Sequence, residues 1–195
     1  RHGETPWTRA QRYQGRSDIP LSAQGRKQAR AVARLLKREK PTRLYTSDLR
    51  RAQETARIIA TFLKLKPRID SRLNEIDFGS WEGAHYPELS KKSGVLFRRW
   101  REGKLRKPPG GESVDSLARR VQKFFKEITK RHPEETVAVV THGGPIKMFL
   151  FHVLGARRAS IWSFRIDPAS VSLLQGNRDL FQITWTNQMH HLNSR

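Results

Sequence analysis

The sequence predicts an α/β fold: a three-layer sandwich with a mainly parallel central sheet, helices on both faces and a small helical lid insertion. Three observations predict it. Short apolar runs alternate with longer amphipathic stretches, the order expected of strand and helix layers stacked around one sheet. One run, "TVAVVT" at 136–141, is apolar and β-branched through its centre, as a strand buried on both faces should be. The longer stretches carry their apolar residues at helical rather than alternating spacing.

The elements follow in order. Residues 1–20 are polar and punctuated by Gly and Pro, and read as loop. Ser22 caps a helix whose stripe is Ala29, Val32, Ala33, Leu35 and Leu36, and Pro41 ends it. "RLYT" at 43–46 is a short strand. A helix follows from about Asp48 to Leu65, with Ser47 as a cap candidate and Leu49, Ala52, Ala56, Ile59, Ala60 and Leu63 on its apolar side. "LNEIDFGSWEG" at 73–83 is loop, and 84–112 is a set of short, interrupted, basic segments closing on "KPPGGE". Helix returns over about Ser113 to Arg131, striped by Val114, Leu117, Val121, Phe124, Phe125 and Ile128. After the strand at 136–141, Pro145 sits in the first turn of another helix. "FRI", "VSLLQ" and "LFQITW" then read as strands at a sheet edge. No repeat or linker interrupts the chain, so a single domain spanning 1–195 is expected.

Composition narrows the function. The chain has 195 residues, 36% of them hydrophobic, enough for a core. Lys and Arg number 39 against 18 Asp and Glu, a net charge of +21 that attracts anions: phosphorylated metabolites, nucleic acid or acidic lipid. With no Cys, disulfides and thiol nucleophiles are excluded, although this does not fix the compartment. No apolar run approaches the roughly 20 residues of a spanning helix, so no membrane partner is expected.

The richest segment chemically is "VAVVTHGGPIKMF" at 137–149. A buried strand ends, His142 follows, then two glycines and a Pro-started helix. Ligands of open α/β sheets gather at the carboxyl ends of strands, and a helix N-terminus there offers N–H groups to an anion. "RHG" at 1–3 repeats the pattern of a histidine followed by glycine. Two such histidines, without Cys, HxH or a partner at i+4, make a poor metal set; His142 and His152 are ten residues apart. A nucleophilic histidine with a second histidine and arginines around it is the better chemistry. Arg50 and Arg51 fall in a first helical turn, where cations oppose the helix dipole and surface stability explains them badly. Glu75 and Glu82 lie beside Phe78 and Trp81; an apolar surround suits a carboxyl that donates a proton, while a loop anchored by its aromatics with exposed acids accounts for them slightly better.

Seven motifs in order then carry a resemblance: "RHGET", "RYQG" at 12–15, "LSAQGRKQA" at 21–29, "SDLRRAQETA" at 47–56, "LNEIDFGSWEG", "PGGES" at 109–113 and "THGG" at 141–144. Together they resemble the histidine phosphatase superfamily, in its phosphoglycerate mutase-like branch of short, cofactor-independent phosphatases. The likeness is close to about Gly155 and looser through "FRIDPASVSLL" and "NQMHHL".

The resemblance implies roles. His2 matches the nucleophile that becomes a phosphohistidine. Arg1 and Arg51 match the arginines that hold the phosphoryl oxygens, Arg51 being preferred to Arg50 because it stands four residues after Ser47. His142 matches the second pocket histidine, and Glu75 the proton donor, with Glu82 as second choice. Thr8, Gln14, Gly15 and Gly143 would lie around the substrate, Thr8 where the family usually has Asn. No metal and no cofactor are expected, because arginine and histidine cover the phosphoryl charge. In the family a central strand leads directly into "RHG", so further residues are expected before Arg1.

The expected activity is metal-independent hydrolysis of a small phosphorylated substrate in the cytoplasm, with the oligomeric state open and a homodimer among the options. Similar short members act on α-ribazole phosphate, phosphoserine or phosphorylated sugar acids. Segment 84–112 is the expected lid; its Lys91, Lys92, Arg98, Arg99, Arg101, Lys104, Arg106 and Lys107, against Glu88, Glu102 and Glu112, are more simply the solvated surface of an Arg-rich protein, and in the functional reading attract a substrate with additional negative charge. Two alternatives stand beside this: a phosphoglycerate mutase, for which the chain is short, and a polyanion- or nucleic-acid-binding protein with a vestigial pocket. Against the latter, Trp7, Trp81, Trp100, Trp162 and Trp185 are dispersed and the charge follows no single stripe. Non-specific polyanion binding at low salt is still expected.

Overall fold

The computed structural model describes residues 1–92, 94–156, 161, 163–177 and 180–193. Trp162 and the side chain of Lys92 lie outside this description.

Three parallel strands form the centre: β1 (Arg43–Thr46), β2 (Pro67–Ile69) and β3 (Val137–Val140), in the order β2-β1-β3. Period-two alternation sends neighbouring side chains to opposite faces. Leu44, Ala138 and Val140 join one apolar cluster with Val32 and Ala33 of α2 (Ala23–Glu39) and Ala52, Ala56 and Ile59 of α3 (Arg50–Leu63). Tyr45, Val137 and Val139 face the other way, onto Phe124 and Ile128 of α6 (Val114–Arg131) and Phe149 of α7 (Gly143–Leu154). That is the expected three-layer sandwich. Among the described residues, no helix is long and apolar enough to cross a membrane.

Local chemistry explains the helix ends. Ser22 and Ser113 accept the Gly25 and Ser116 N–H groups as N-caps. Lys40, Lys64 and Gly155 end α2, α3 and α7 in the left-handed conformation. The amphipathic stripes of α2, α3 and α6 set their buried faces as predicted.

Ser47 does not cap a helix. The N-cap of α3 is Leu49, with no side-chain hydrogen bond, and the Ser47 hydroxyl is turned toward His142. "FRI" at 164–166 is not a strand, since the Ile166 carbonyl is taken by the Arg1 guanidinium (2.6 Å). β4 (Val171–Asn177) and β5 (Leu180–Gln188) are strands, but among the described residues they form their own antiparallel pair rather than an edge of the parallel sheet. A cavity of about 530 Å³ lies beside β3, lined by β4 and by Phe125, Phe149 and Phe181. Val137 and Val139 reach it and are only half-buried, short of the full burial expected of that strand.

The basic stretch after residue 84 folds as two short helices, α4 (Tyr86–Lys92) and α5 (Gly94–Arg101). Their Leu89, Phe97 and Trp100 pack on Phe78 and Trp81, so this segment has an apolar underside beneath its charges.

Candidate active site

The first three residues run between two parts of the chain. The His2 N–H donates to the Thr141 carbonyl (2.9 Å), at the end of β3, and its own carbonyl accepts from Ala169 (2.8 Å). A close approach of two glycines holds α2 against this segment: a Cβ at Gly25 would lie 2.0 Å from the Glu4 oxygen, and one at Gly3 2.5 Å from the Gly25 oxygen. The motifs "RHGET" and "LSAQG" are therefore two halves of one contact.

His2 is 1% exposed, and its Nδ1 lies 2.8 Å from the Gly3 carbonyl. A carbonyl can only accept, so Nδ1 carries the ring proton and Nε2 keeps its lone pair. Burial, then Arg51 and Arg1, hold its pKa well below the ordinary 6.5. His2 is thus a neutral imidazole with a basic nitrogen opposite its anchored one.

His142, the N-cap residue of α7, is fully buried, its ring 5.0 Å from that of His2. Its Nε2 lies 2.7 Å from Ser47 Oγ, which already accepts the Leu49 N–H (3.3 Å). With Ser47 donating its proton to Nε2, the ring proton of His142 sits on Nδ1, which is buried and has no protein partner. Burial, Arg51, His2 and Arg1 depress this imidazole as well.

Arg51 is fully buried although it stands in the first turn of α3. It donates to the carbonyls of Ser17 (2.8 Å) and Gly15 (2.6 Å), and burial brings its pKa down to about 10. The Nε atoms of Arg1 and Arg51 are buried without a protein partner, like His142 Nδ1. Three unpartnered donors around one neutral imidazole are an arrangement that an anion satisfies. Arg50, by contrast, turns outward to Glu54 (2.8 Å).

The two candidate acids separate clearly. Glu82 accepts from the N–H groups of Arg16 (2.7 Å), Ser17 (2.8 Å) and Phe78 (3.2 Å) and from the Ser17 hydroxyl, so it anchors loops. Glu75 Oε1 accepts from Gly144 N and Ile76 N, both at 3.0 Å. Its Oε2 faces Gly143, close to the Arg1 guanidinium: both lie within 4 Å of a Cβ built at Gly143. A Cβ at Gly144 would meet Glu75 Oε1 at 2.3 Å, so the double glycine brings the carboxylate onto the α7 N-terminus. The surround of Glu75 is hydrogen-bonded rather than merely apolar.

A cavity of about 750 Å³ opens here. Arg1, Thr8, Gln14, Gly15, Arg51, Glu75 and Gly143 line it, and His2 and His142 are buried beside these without reaching its surface. Gln14 accepts from Thr5 Oγ1 (2.8 Å). Gly15 has φ +53 and no room for a side chain beside Glu82. The Thr8 hydroxyl donates to the Thr5 carbonyl (3.0 Å) in the box that starts α1 (Pro6–Arg9). Among the described residues, no group of three or more His, Cys, Asp or Glu is placed to hold a metal ion.

Sequence reasoning missed two positioning groups. Ser47, read as a cap, fixes the His142 ring. Arg120, inside the α6 stripe region, donates to the carbonyls of Arg72 (2.7 Å), Asn74 (2.6 Å) and Glu75 (3.0 Å), clamping the loop that presents the acid. No sequence signal marks either role, since each depends on a contact made from another element.

The buried imidazoles have a pH signature. Each binds a proton less readily folded than unfolded, so the unfolded chain takes up more protons as the pH falls through 6.5. Stability is full above that value and declines below it. The melting temperature in phosphate-free buffer is expected to fall steadily between pH 6.5 and 5.5, above the range where carboxylates titrate. A flat profile would contradict the assignment.

Comparison with known proteins finds relatives over almost the whole chain. The family model for the histidine phosphatase superfamily (branch 1) matches residues 1–189. Phosphoserine phosphatase 1 of Hydrogenobacter thermophilus is 39% identical, over 89% of this chain and 83% of its own. The metal-independent phosphoserine phosphatase of Arabidopsis thaliana is 35% identical, over 100% of this chain and 82% of its own. The solved structure of mycobacterial glucosyl-3-phosphoglycerate phosphatase complexed with VO3 superposes with a TM-score of 0.89 at 31% identity, covering 96% of each chain.

Proposed function

The chain belongs to the histidine phosphatase superfamily, and from that premise we propose that it hydrolyses phosphomonoesters of small metabolites through a phosphohistidine on His2. The observation that carries this reading is the set of buried donors without protein partners, Arg1 Nε, Arg51 Nε and His142 Nδ1, around the neutral His2. A phosphoryl group entering the cavity meets the guanidinium groups first, and reaches His2 as those side chains turn onto it.

The steps then follow. His2 Nε2 attacks phosphorus as the bond to the ester oxygen breaks, and the charge on the equatorial oxygens is held by the two arginines and His142. Protonated Glu75 gives its proton to the departing oxygen. Because Oε1 accepts from two N–H groups, that proton belongs on Oε2, the oxygen nearest Gly143 and Arg1. The alcohol leaves and water takes its place. Glu75, now a carboxylate, removes the water's proton as it attacks phosphorus, which frees His2 and yields inorganic phosphate. The guanidinium groups supply the positive charge that a metal would otherwise provide.

In this reading 1–195 works as one domain, with α4, α5 and the turn to residue 112 as its lid. Phosphoserine is the first ester to test, given the names of the two relatives. Phosphate release from phosphoserine is expected to be equal with and without excess chelator. Release that disappears in chelator, or a phosphoryl group that passes between phosphoglycerates without release, would overturn the reading.

A further inference from the structure

The positive charge that follows no single stripe along the whole sequence does form one on α2. Arg26, Lys27, Arg30, Arg34, Lys37 and Arg38 are all exposed. At about 100° per residue they fall within about 120° of the helix circumference, over about 18 Å of its length. Val32 and Leu36, on the opposite side, pack into the core with Leu44 and Ile59. Glu39 is the one acid of α2, and it lies about 100° outside the basic arc. Among the described residues, Arg26 alone of the six makes an ion pair, to Glu54 (3.7 Å). None of the six lines the cavity that holds Arg51 and Glu75.

Helix stability does not explain this row. Arg26 with Arg30, Arg30 with Arg34, and Arg34 with Arg38 are like-charge pairs at i,i+4, which weaken a helix. Arg26 and Lys27 stand near the N-terminus, where cations oppose the dipole, and the first turn holds no acid. A face that served solubility alone would mix both signs.

We propose that the outer face of α2 binds duplex DNA, laying its cations along the phosphates of one strand. Six charges over this length give a mean axial step of about 3.6 Å. Each strand of duplex DNA carries one phosphate per about 3.4 Å. Four of the six cations are arginines, whose guanidinium fork fits phosphate oxygens. Apart from Ala23, the arc holds only cations. It offers no aromatic ring on which unpaired bases could stack, and no large apolar side chain to enter a membrane. The contacts are to backbone charge, so binding is independent of base sequence. This face lies apart from the catalytic cavity, and it serves whether or not esters are hydrolysed there.

Fluorescence anisotropy of the whole protein with a labelled DNA duplex of mixed sequence, at about 50 to 200 mM salt, tests this. The wild type is expected to bind throughout, with log affinity falling against log salt at a slope of about −5. Arg30→Gln, Arg34→Gln, Lys37→Gln and Arg38→Gln together should weaken binding at least about tenfold at about 150 mM salt and flatten the slope by about 3 to 4. A control variant removes four exposed cations from α6, by Arg119→Gln, Lys123→Gln, Lys126→Gln and Lys130→Gln. It should lose no more than about threefold, because charges beyond about 8 Å are screened at that salt. Equal losses from the two variants would overturn the site, leaving only diffuse charge. So would a wild type that does not bind the duplex, or that binds the single strand or duplex RNA more tightly. Capture by phosphatidylserine vesicles instead of DNA would also overturn it. Melting temperatures report whether the variants fold. Should the fourfold α2 variant not fold, Arg34→Gln with Arg38→Gln decides in its place, with a slope change of about 2.

Discussion

Replacing His2 by alanine is expected to reduce phosphate release by at least about 10³-fold on every ester, because the variant lacks the atom that accepts the phosphoryl group. The geometry makes this a test of chemistry rather than of folding alone. The His2 backbone bonds to Thr141 and Ala169 remain available to alanine, and only the imidazole is removed. The lost side chain leaves a cavity between Arg51 and His142, so some stability is lost as well. Far-ultraviolet circular dichroism and a thermal melt on the same sample separate the two effects. A folded variant retaining a tenth of wild-type turnover would contradict the nucleophile assignment.

Glu75→Gln should lower turnover by about 10² to 10⁴ on alkyl phosphates. Glutamine keeps an oxygen for the Gly144 and Ile76 N–H groups, so the loop held by Arg120 is preserved. It cannot donate a carboxylic proton or accept one from water. An ester whose leaving group needs no proton, p-nitrophenyl phosphate, should still phosphorylate His2. The variant is then expected to release about one equivalent of nitrophenolate in a burst, followed by slow turnover as the phosphoenzyme waits for an activated water. Equal losses on both substrate types without a burst would assign Glu75 to structure, and the same pattern from Glu82→Gln instead would move the acid to that residue.

The longer helices and two of the three central strands, β1 and β3, were legible because their signals are local, whereas β2 and α1, of three and four residues, are too short to show a period and were not predicted. Apolar stripes set α2, α3 and α6, and one unbroken apolar run set β3. The site was legible in another way, through motifs whose order carries the family. Physical reading explains why those motifs must stay together: Gly3 needs Gly25, Gly15 needs Glu82, and Gly144 needs Glu75.

What was not legible depends on which of two local options tertiary structure selects. A serine between strand and helix looks the same whether it caps the helix or orients His142. "FRI" has strand composition, yet its backbone serves Arg1. Glu75 and Glu82 share one loop, and only their hydrogen-bond partners distinguish an acid facing the pocket from an anchor. Arg120 was hidden for a statistical reason, being one among 39 basic residues whose long-range contacts no local pattern announces.

The most direct test is to mix the protein with radiolabelled phosphoserine, quench in alkali within one turnover, where a phosphoramidate survives, and locate the label by peptide mass spectrometry. The account predicts an acid-labile phosphoryl group on Nε2 of His2, lost in His2→Ala. Full phosphate release without a trapped adduct, or a label on any other residue, would contradict it.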